Sequence, residues 1–154
     1  MYNQPFRIFL VDDHLVDLNF LTKIIECQNY QIQKFTSGKL AIDTALQTPP
    51  DLILLDVIMP EMDGYAVCQY LKSHEKTQNI PIIFLSTIET LPDKAKFFEL
   101  GAVDYITKPL CAAEVLVRIE HQLEARERQQ AEIARRASEA KLASAFKASP
   151  DPIA

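Results

Sequence analysis

The chain has 154 residues, of which 48% are hydrophobic, so it can bury the core of one domain. No apolar run reaches the roughly 18 residues that a membrane-spanning helix requires, and no membrane segment is predicted. The formal net charge of −5 comes from residues 1–110, with 9 Lys+Arg against 14 Asp+Glu, and no basic patch suited to nucleic acids is present.

Short apolar runs alternate with segments of helical period along the first 110 residues. Three runs are apolar at almost every position, as strands buried on both faces are, and two weaker runs are expected nearer a sheet edge. The helical segments carry apolar residues three and four apart, including Leu15 and Leu40, and two of them follow the capping residues Ser37 and Asp63. In chain order the predicted elements are strand 6–11, helix 15–27, strand 31–35, helix 37–46, strand 52–55, helix 64–72, strand 82–85, helix 91–100 and strand 103–106.

Strict alternation of strands and helices implies right-handed crossovers and a parallel sheet covered on both faces. The predicted fold is therefore α/β, a doubly wound sheet of five strands. Residues 110–149 contain neither Gly nor Pro and predict one helix too long for a domain of this size. Its apolar positions are sparse and spaced at threes and fours, as in a weak coiled coil with Arg126 and Gln130 in the seam. The stripe consists of Leu116, Ile119, Leu123, Ile133 and Ala137. A charged, solvated helix is the alternative.

No Cys/His cluster with the spacing of zinc ligands is present. The odd number of widely spaced cysteines predicts reduced thiols, and the N-terminus lacks the order of a secretory signal, so a cytoplasmic protein is expected. The histidines are also far apart in sequence, and each is expected to be a surface residue: His14, His74 and His121.

Polar residues follow four of the five predicted strands. Asp12 and Asp13 follow the first, Asp56 the third and Ser86 the fourth, and Lys108 lies just beyond the fifth. Because ligands of open parallel sheets bind at the carboxyl ends of the strands, these groups are expected to converge. Three neighbouring carboxylates repel one another unless a cation lies among them, and oxygen ligands favour Mg²⁺. Asp56 is then the candidate nucleophile for a phosphorus atom, assisted by Lys108 and the Ser86 hydroxyl.

Four motifs together resemble the receiver domain of two-component response regulators over residues 5–125. They are the acidic pair of "VDD", the segment "DVIMPEMDG" that begins at Asp56, "IIFLS" ending at Ser86, and "GAVDYITKP" with Tyr105 and Lys108. The implied fold is flavodoxin-like, with strand order 2-1-3-4-5 and an extended C-terminal helix. Residues 1–125 are assigned to the receiver domain. Residues 126–154 are assigned to a helical signalling linker or to the start of a PAS domain, which the tail resembles.

The resemblance implies that Asp56 accepts a phosphoryl group from a histidine kinase or a histidine phosphotransfer protein. It further implies that Mg²⁺ is bound by Asp13, Asp56 and the backbone carbonyl of Ile58, with Asp12 acting through water. Ser86 and Tyr105 would be the switch pair. The peptide bond between Lys108 and Pro109 would be cis, and Lys108 would contact the phosphoryl group. The family places two residues beside that group, which here are Ile58 and Ile88, so slow hydrolysis of the phosphoryl group is expected.

Phosphorylation is expected to favour a homodimer through the fourth helix, fifth strand and fifth helix, extended by the C-terminal helix. The domain is predicted to be a signalling module rather than an enzyme in its own right, and the full protein to carry a kinase or cyclase output. The residues argue against two alternative functions. A haloacid-dehalogenase-like phosphatase requires D-x-D after its first strand, whereas this chain has Asp12-Asp13-His14. A receiver-like module that is never phosphorylated has no need of converging carboxylates.

Overall fold

The computed structural model describes residues 5–87 and 94–148. Five strands alternate with five helices along the chain. Of the helix predicted over 91–100, the structure describes Lys94–Glu99, and residues 91–93 and 149–154 lie outside the described part. In chain order the elements are β1 (Arg7–Val11), α1 (Leu15–Glu26), β2 (Gln31–Phe35), α2 (Gly38–Gln47), β3 (Leu52–Asp56), α3 (Gly64–Lys72), β4 (Ile82–Ser86), α4 (Lys94–Glu99), β5 (Asp104–Thr107) and α5 (Ala112–Ala148).

The strands form one parallel sheet in the order β2-β1-β3-β4-β5, which confirms the predicted fold. Every residue of β3 and β4 is buried, because helices cover both faces of the central strands. At the edge, β2 buries only Phe35 fully. The register places Asp56 opposite Leu85 and Ser86 opposite Thr107, so the carboxyl ends of β3, β4 and β5 lie side by side.

Two predicted helix caps are confirmed. The Ser37 hydroxyl accepts a hydrogen bond from the backbone N–H of Leu40 at 3.3 Å, and the Asp63 carboxylate accepts one from Ala66 at 2.9 Å. Leu15 and Leu40 follow the apolar spacing of their helices, yet they are 63% and 58% exposed. Both lie in the first turn of a helix, where a residue of the correct phase can still extend past the edge of the sheet.

Gly64 allows the loop after β3 to fold back over the end of that strand. Its N–H donates to the carbonyl of Val57 at 2.7 Å, and a Cβ at Gly64 would lie 2.2 Å from the carbonyl oxygen of Asp56. No side chain fits at that distance from backbone. The glycine therefore fixes how closely α3 approaches the residue that ends β3.

The chain divides into two compact units, residues 1–122 and 123–154. Within the first, α5 buries Val115 and Ile119 completely. Ile119 is thus a core residue of this unit, and its predicted place in a dimer seam is wrong. Apolar spacing alone does not tell which surface covers a stripe. Leu116 is half-buried.

The second unit is a solvated helix by itself. Ile133 is 57% exposed and Leu142 is 64% exposed. Ion pairs one turn apart link Glu132 to Arg135 and to Arg136, and Arg135 to Glu139. Such solvent-exposed pairs add little to the stability of a helix. Among the described residues, no helix combines the length and the apolar character needed to cross a bilayer.

Candidate functional site

The carboxyl edge of the sheet holds buried polar side chains. Asp12, directly after β1, is completely buried, and Asp56 and Ser86 at the ends of β3 and β4 are 4% and 1% exposed. Burying an ionised carboxylate is costly unless cations or hydrogen bonds compensate it. Two such acids beside each other therefore mark this edge as a site with a requirement for positive charge.

Lys108 supplies part of that charge. Its peptide bond to Pro109 is cis, as predicted, and its ammonium nitrogen Nζ lies 3.1 Å from Asp12 Oδ2 and 3.4 Å from Asp56 Oδ1. The same nitrogen lies 2.9 Å from Asp17 Oδ2. Asp17 was not among the predicted site residues. It belongs to the first turn of α1, one helical turn beyond Asp13, and that spacing was the only sequence signal for it.

His14 also belongs to the site, although it was expected to be an unremarkable surface residue. Its Nδ1 lies 3.3 Å from Asp12 Oδ1, 3.3 Å from Asp13 Oδ1 and 3.6 Å from Asp56 Oδ2. The side chain is 60% exposed, so His14 is a surface residue as predicted. Its contacts with three acidic side chains were not predicted. His14 occupies the N-cap position of α1 without making a side-chain cap hydrogen bond. The sequence signal for its place in the site was its position directly after the acidic pair.

Electrostatics at Asp56 disfavour the ionised form. Burial raises its pKa from 3.8 to about 7, the charge of Asp12 adds to the rise, and Lys108 opposes it. Near neutral pH the carboxyl group is therefore poised between its neutral and ionised forms. A carboxylate needs to be ionised to act as a nucleophile, so a cation that binds here would promote the reactive form.

At the two basic side chains of the site, Lys108 and His14, the surroundings favour the charged form. Burial disfavours the charge on Lys108, but contacts with Asp17, Asp12 and Asp56 outweigh it and raise the pKa of the ammonium group. At His14, burial likewise opposes the charge, while the hydrogen bond to Asp12 and the charge of Asp13 prevail and raise the pKa of the imidazole.

The acidic side chains fit a divalent cation. Ligand atoms of Asp12, Asp13, His14 and Asp56 all lie within 4.8 Å of one another. Asp13 Oδ1 and Asp56 Oδ2 are buried and have no hydrogen-bond partner among the described residues. Three carboxylates lie within 3.4 Å of the Lys108 ammonium nitrogen, those of Asp12, Asp17 and Asp56, and Asp13 adds a fourth carboxylate to the cluster. A divalent ion would offset most of the excess negative charge and satisfy the two unpartnered oxygens.

The predicted switch residues flank this edge. Ser86 Oγ donates a hydrogen bond to the carbonyl of Thr87 at 3.0 Å. Tyr105 is half-buried on β5, and its ring stacks on Phe97 of α4 at 5.4 Å between centroids. The Ile58 side chain is 57% exposed. Ile88, the other predicted neighbour of the phosphoryl group, lies outside the described residues.

Comparison with known sequences gives a consistent family. A model of the response regulator receiver domain matches residues 8–120. The DNA-binding dual master transcriptional regulator RpaA of Synechocystis is 36% identical over 113 residues, which is 73% of this chain and 47% of that protein. The chain spans less than half the length of the curated relatives with which it was compared.

Solved structures agree in fold. The receiver domain of a signal transduction histidine kinase from Syntrophus aciditrophicus is 35% identical, with a TM-score of 0.72 over 78% of this chain and 91% of that one. The receiver domain of the sensor histidine kinase PA1611 from Pseudomonas aeruginosa is 25% identical, with a TM-score of 0.72 over 78% of this chain and 98% of that one. The latter structure contains a magnesium ion coordinated in its active-site cleft.

Proposed function

This chain belongs to the response regulator receiver domain family, and we propose that Asp56 is the carboxylate that accepts the phosphoryl group. One observation carries the assignment: Asp56 is a buried carboxylate at the end of the central strand β3, contacted by Lys108 through Oδ1, while Oδ2 has no hydrogen-bond partner within residues 5–87 and 94–148. An acid placed in this way destabilises the fold, which is expected of a reactive group and not of a structural one.

The reaction is a phosphoryl transfer to the carboxylate. An oxygen of Asp56 forms a bond to phosphorus, and the bond from phosphorus to the donor breaks, so the donor leaves with that electron pair. Lys108, already at 3.4 Å from Oδ1, would pair with the transferred oxygens, and the Ser86 hydroxyl would donate a hydrogen bond to them. When bound, Mg²⁺ would be held by Asp13, Asp56 and the carbonyl of Ile58, with Asp12 through water, and would neutralise developing charge.

The phosphodonor is proposed to be a histidine kinase or a histidine phosphotransfer protein, since receiver domains take phosphoryl groups from histidine kinases. Exposed apolar side chains follow the acidic residues at the start of α1 and on the loop after β3. Leu15 is 63% exposed and Val16 82%, and Ile58 on the loop after β3 is 57% exposed. Exposed apolar groups of this kind suit a protein partner that approaches the site.

Switching is proposed to pass from Ser86 to Tyr105. Ser86 would leave the Thr87 carbonyl for the phosphoryl group, and the Tyr105 ring would turn inward from its stack on Phe97. The neighbouring surface of α4, β5 and the start of α5 would then change shape and favour a symmetric homodimer. On that surface Arg118 Nη1 lies 2.8 Å from Asp104 Oδ2, so the two residues form an exchangeable ion pair within the monomer.

The remaining proposals concern the larger protein. We assign residues 1–125 to the receiver domain and residues 126–154 to a signalling linker that leads into an output domain, with a PAS domain as the first candidate and a kinase or cyclase beyond it. The solvated helix with exposed Ile133 and Leu142 supports a linker that pairs with a second copy. A cytoplasmic location is proposed because the phosphodonors of this family act there.

Incubation with acetyl phosphate and Mg²⁺, read by intact mass, tests the assignment. One phosphoryl adduct is expected, and borohydride reduction of the acyl phosphate followed by peptide mapping should place it at residue 56. Asp56→Asn should abolish the adduct, whereas Asp43→Asn, at an exposed carboxylate of α2, should leave it unchanged. Labelling of Asp56→Asn at the wild-type rate would rule out Asp56 as the acceptor.

A further inference from the structure

The imidazole of His14 faces the two oxygen atoms of the acidic cluster for which the described part of the chain offers no hydrogen-bond partner. Its Nδ1 lies 3.3 Å from Asp13 Oδ1 and 3.6 Å from Asp56 Oδ2. Asp56 itself is only 4% exposed, so its unpartnered oxygen points into the cluster instead of into solvent. Three potential ligand atoms therefore surround one position at the protein surface.

The separations fit direct coordination. Two ligand atoms at right angles around an ion, each at about 2.1 Å, lie roughly 3.0 Å apart. The observed distances of 3.3 and 3.6 Å exceed this value by a few tenths of an ångström, so only a small closure brings nitrogen and oxygen into one coordination sphere. Because the His14 side chain is 60% exposed, it can make that movement without disturbing the core.

We propose that His14 is a metal ligand of this site and that its imidazole makes the site prefer Mn²⁺ and other transition-metal ions over Mg²⁺. The inference rests on the proposed function, since the same carboxylates would hold the ion during phosphoryl transfer. Mg²⁺ prefers oxygen ligands and retains several waters, whereas imidazole nitrogen suits transition metals. A nitrogen donor added to Asp13 and Asp56 therefore strengthens the binding of transition-metal ions more than the binding of Mg²⁺.

Local structure supports a ligand role for this side chain. His14 is the N-cap of α1, a position where Ser, Thr, Asp or Asn would satisfy the helix, yet its side chain makes no cap hydrogen bond. Its contact with Asp12 Oδ1, at 3.3 Å, is long for a hydrogen bond. The ring is thus directed at the cluster through contacts that are no shorter than 3.3 Å.

Mn²⁺ alone is the probe, because its electron paramagnetic resonance spectrum reports both affinity and ligand type. Metal-free protein slightly above neutral pH is titrated with Mn²⁺, and pulsed measurements detect nitrogen bonded directly to the ion. We expect nitrogen hyperfine coupling in the wild type and in His121→Ala, and its loss in His14→Ala. The Mn²⁺ affinity of His14→Ala should fall at least about tenfold, since even supporting residues around metals account for ten- to hundredfold. Its Mg²⁺ affinity should change much less.

Equal Mn²⁺ affinities of the wild type and His14→Ala, or a bound Mn²⁺ without nitrogen coupling, would overturn the proposal. Phosphoryl uptake in Mg²⁺ is measured on the same proteins. If uptake persists while nitrogen coupling is absent, only the role of His14 fails. If coupling is present while Asp56 is never labelled in Mg²⁺, the His14 assignment stands and the proposed function fails.

Discussion

Replacing Asp56 with Asn should stabilise the metal-free protein in a pH-dependent way. The acid has a folded-state pKa of about 7 against 3.8 in the absence of the fold, because it is buried beside Asp12. An acid with a raised folded-state pKa contributes stability that is fully present below its unfolded pKa and is lost as the pH rises through its folded pKa. The wild type therefore loses stability between about pH 4 and pH 7, and Asp56→Asn avoids this loss.

The magnitude follows from the shift. Each pH unit in that window corresponds to about 1.36 kcal/mol, so between about pH 5 and the folded pKa near 7 the difference grows by roughly 2–3 kcal/mol. The free energy of unfolding of both proteins is measured by urea denaturation with a chelator present, at about pH 5 and pH 8. Contributions of other titrating groups cancel to first order when the two proteins are subtracted at each pH.

Controls separate the Asp56 carboxyl group from general effects of charge. Asp43→Asn removes an exposed carboxylate of α2, and its effect on stability should hardly depend on pH. Added Mg²⁺ should stabilise the wild type at pH 8 more than Asp56→Asn, since the variant has lost a carboxylate that the ion would pair with. A stability difference between wild type and Asp56→Asn that is the same at pH 5 and pH 8 would refute the electrostatic reasoning.

Four further outcomes are expected. Lys108→Met should raise the pKa of Asp56 above about 7, because Lys108 opposes the rise; an unchanged carboxyl titration by NMR would contradict this. Gly64→Ala should destabilise the fold by about 1–3 kcal/mol or more, since the added Cβ would meet backbone at 2.2 Å, and denaturation should show a smaller loss for a surface Ala control. Ile58→Asn should speed loss of the phosphoryl group by orienting water, and an equal decay rate would place the control of hydrolysis elsewhere. Ending the chain after Glu124 should leave phosphoryl uptake intact while weakening phosphorylation-dependent dimerisation in light scattering, and equally tight dimers would make the helix a passive linker.

Much of the fold could be predicted because its central strands are buried on both faces. The uninterrupted apolar runs that became β3 and β4 have no other stable environment in a chain of this size, and the alternation with helices leaves few topologies. The strand ends then place Asp12, Asp56 and Lys108 together without further information. Lys108 could be assigned to the site because a motif specifies it.

The features that could not be predicted depend on where each helix starts and on which surface covers its apolar stripe. His14 and Asp17 reach the site because α1 starts immediately beside β1, and the sequence marks them only by their positions one and four residues beyond Asp13. On α5, spacing correctly indicates an apolar stripe, but Ile119 is covered by its own domain and not by a second helix. A periodic pattern gives the face that is buried, and only the three-dimensional arrangement gives the partner.

The two carboxyl oxygens of Asp56 lie in different environments. This difference separates a side suited to a metal ion from a side suited to the phosphoryl oxygens. Oδ1 lies 3.4 Å from the Lys108 ammonium group, while Oδ2 lies 3.6 Å from His14 and accepts no hydrogen bond from the residues that the structure describes. A metal ion placed among Oδ2, Asp13 and His14 would leave Oδ1 on the lysine side, where positive charge is already available for phosphoryl oxygens. Because the neutral form of Asp56 competes near pH 7, occupation of the Oδ2 side would also favour the ionised carboxylate that attacks. Under the proposed function, binding of the ion and ionisation of Asp56 would thus be coupled through one carboxyl group.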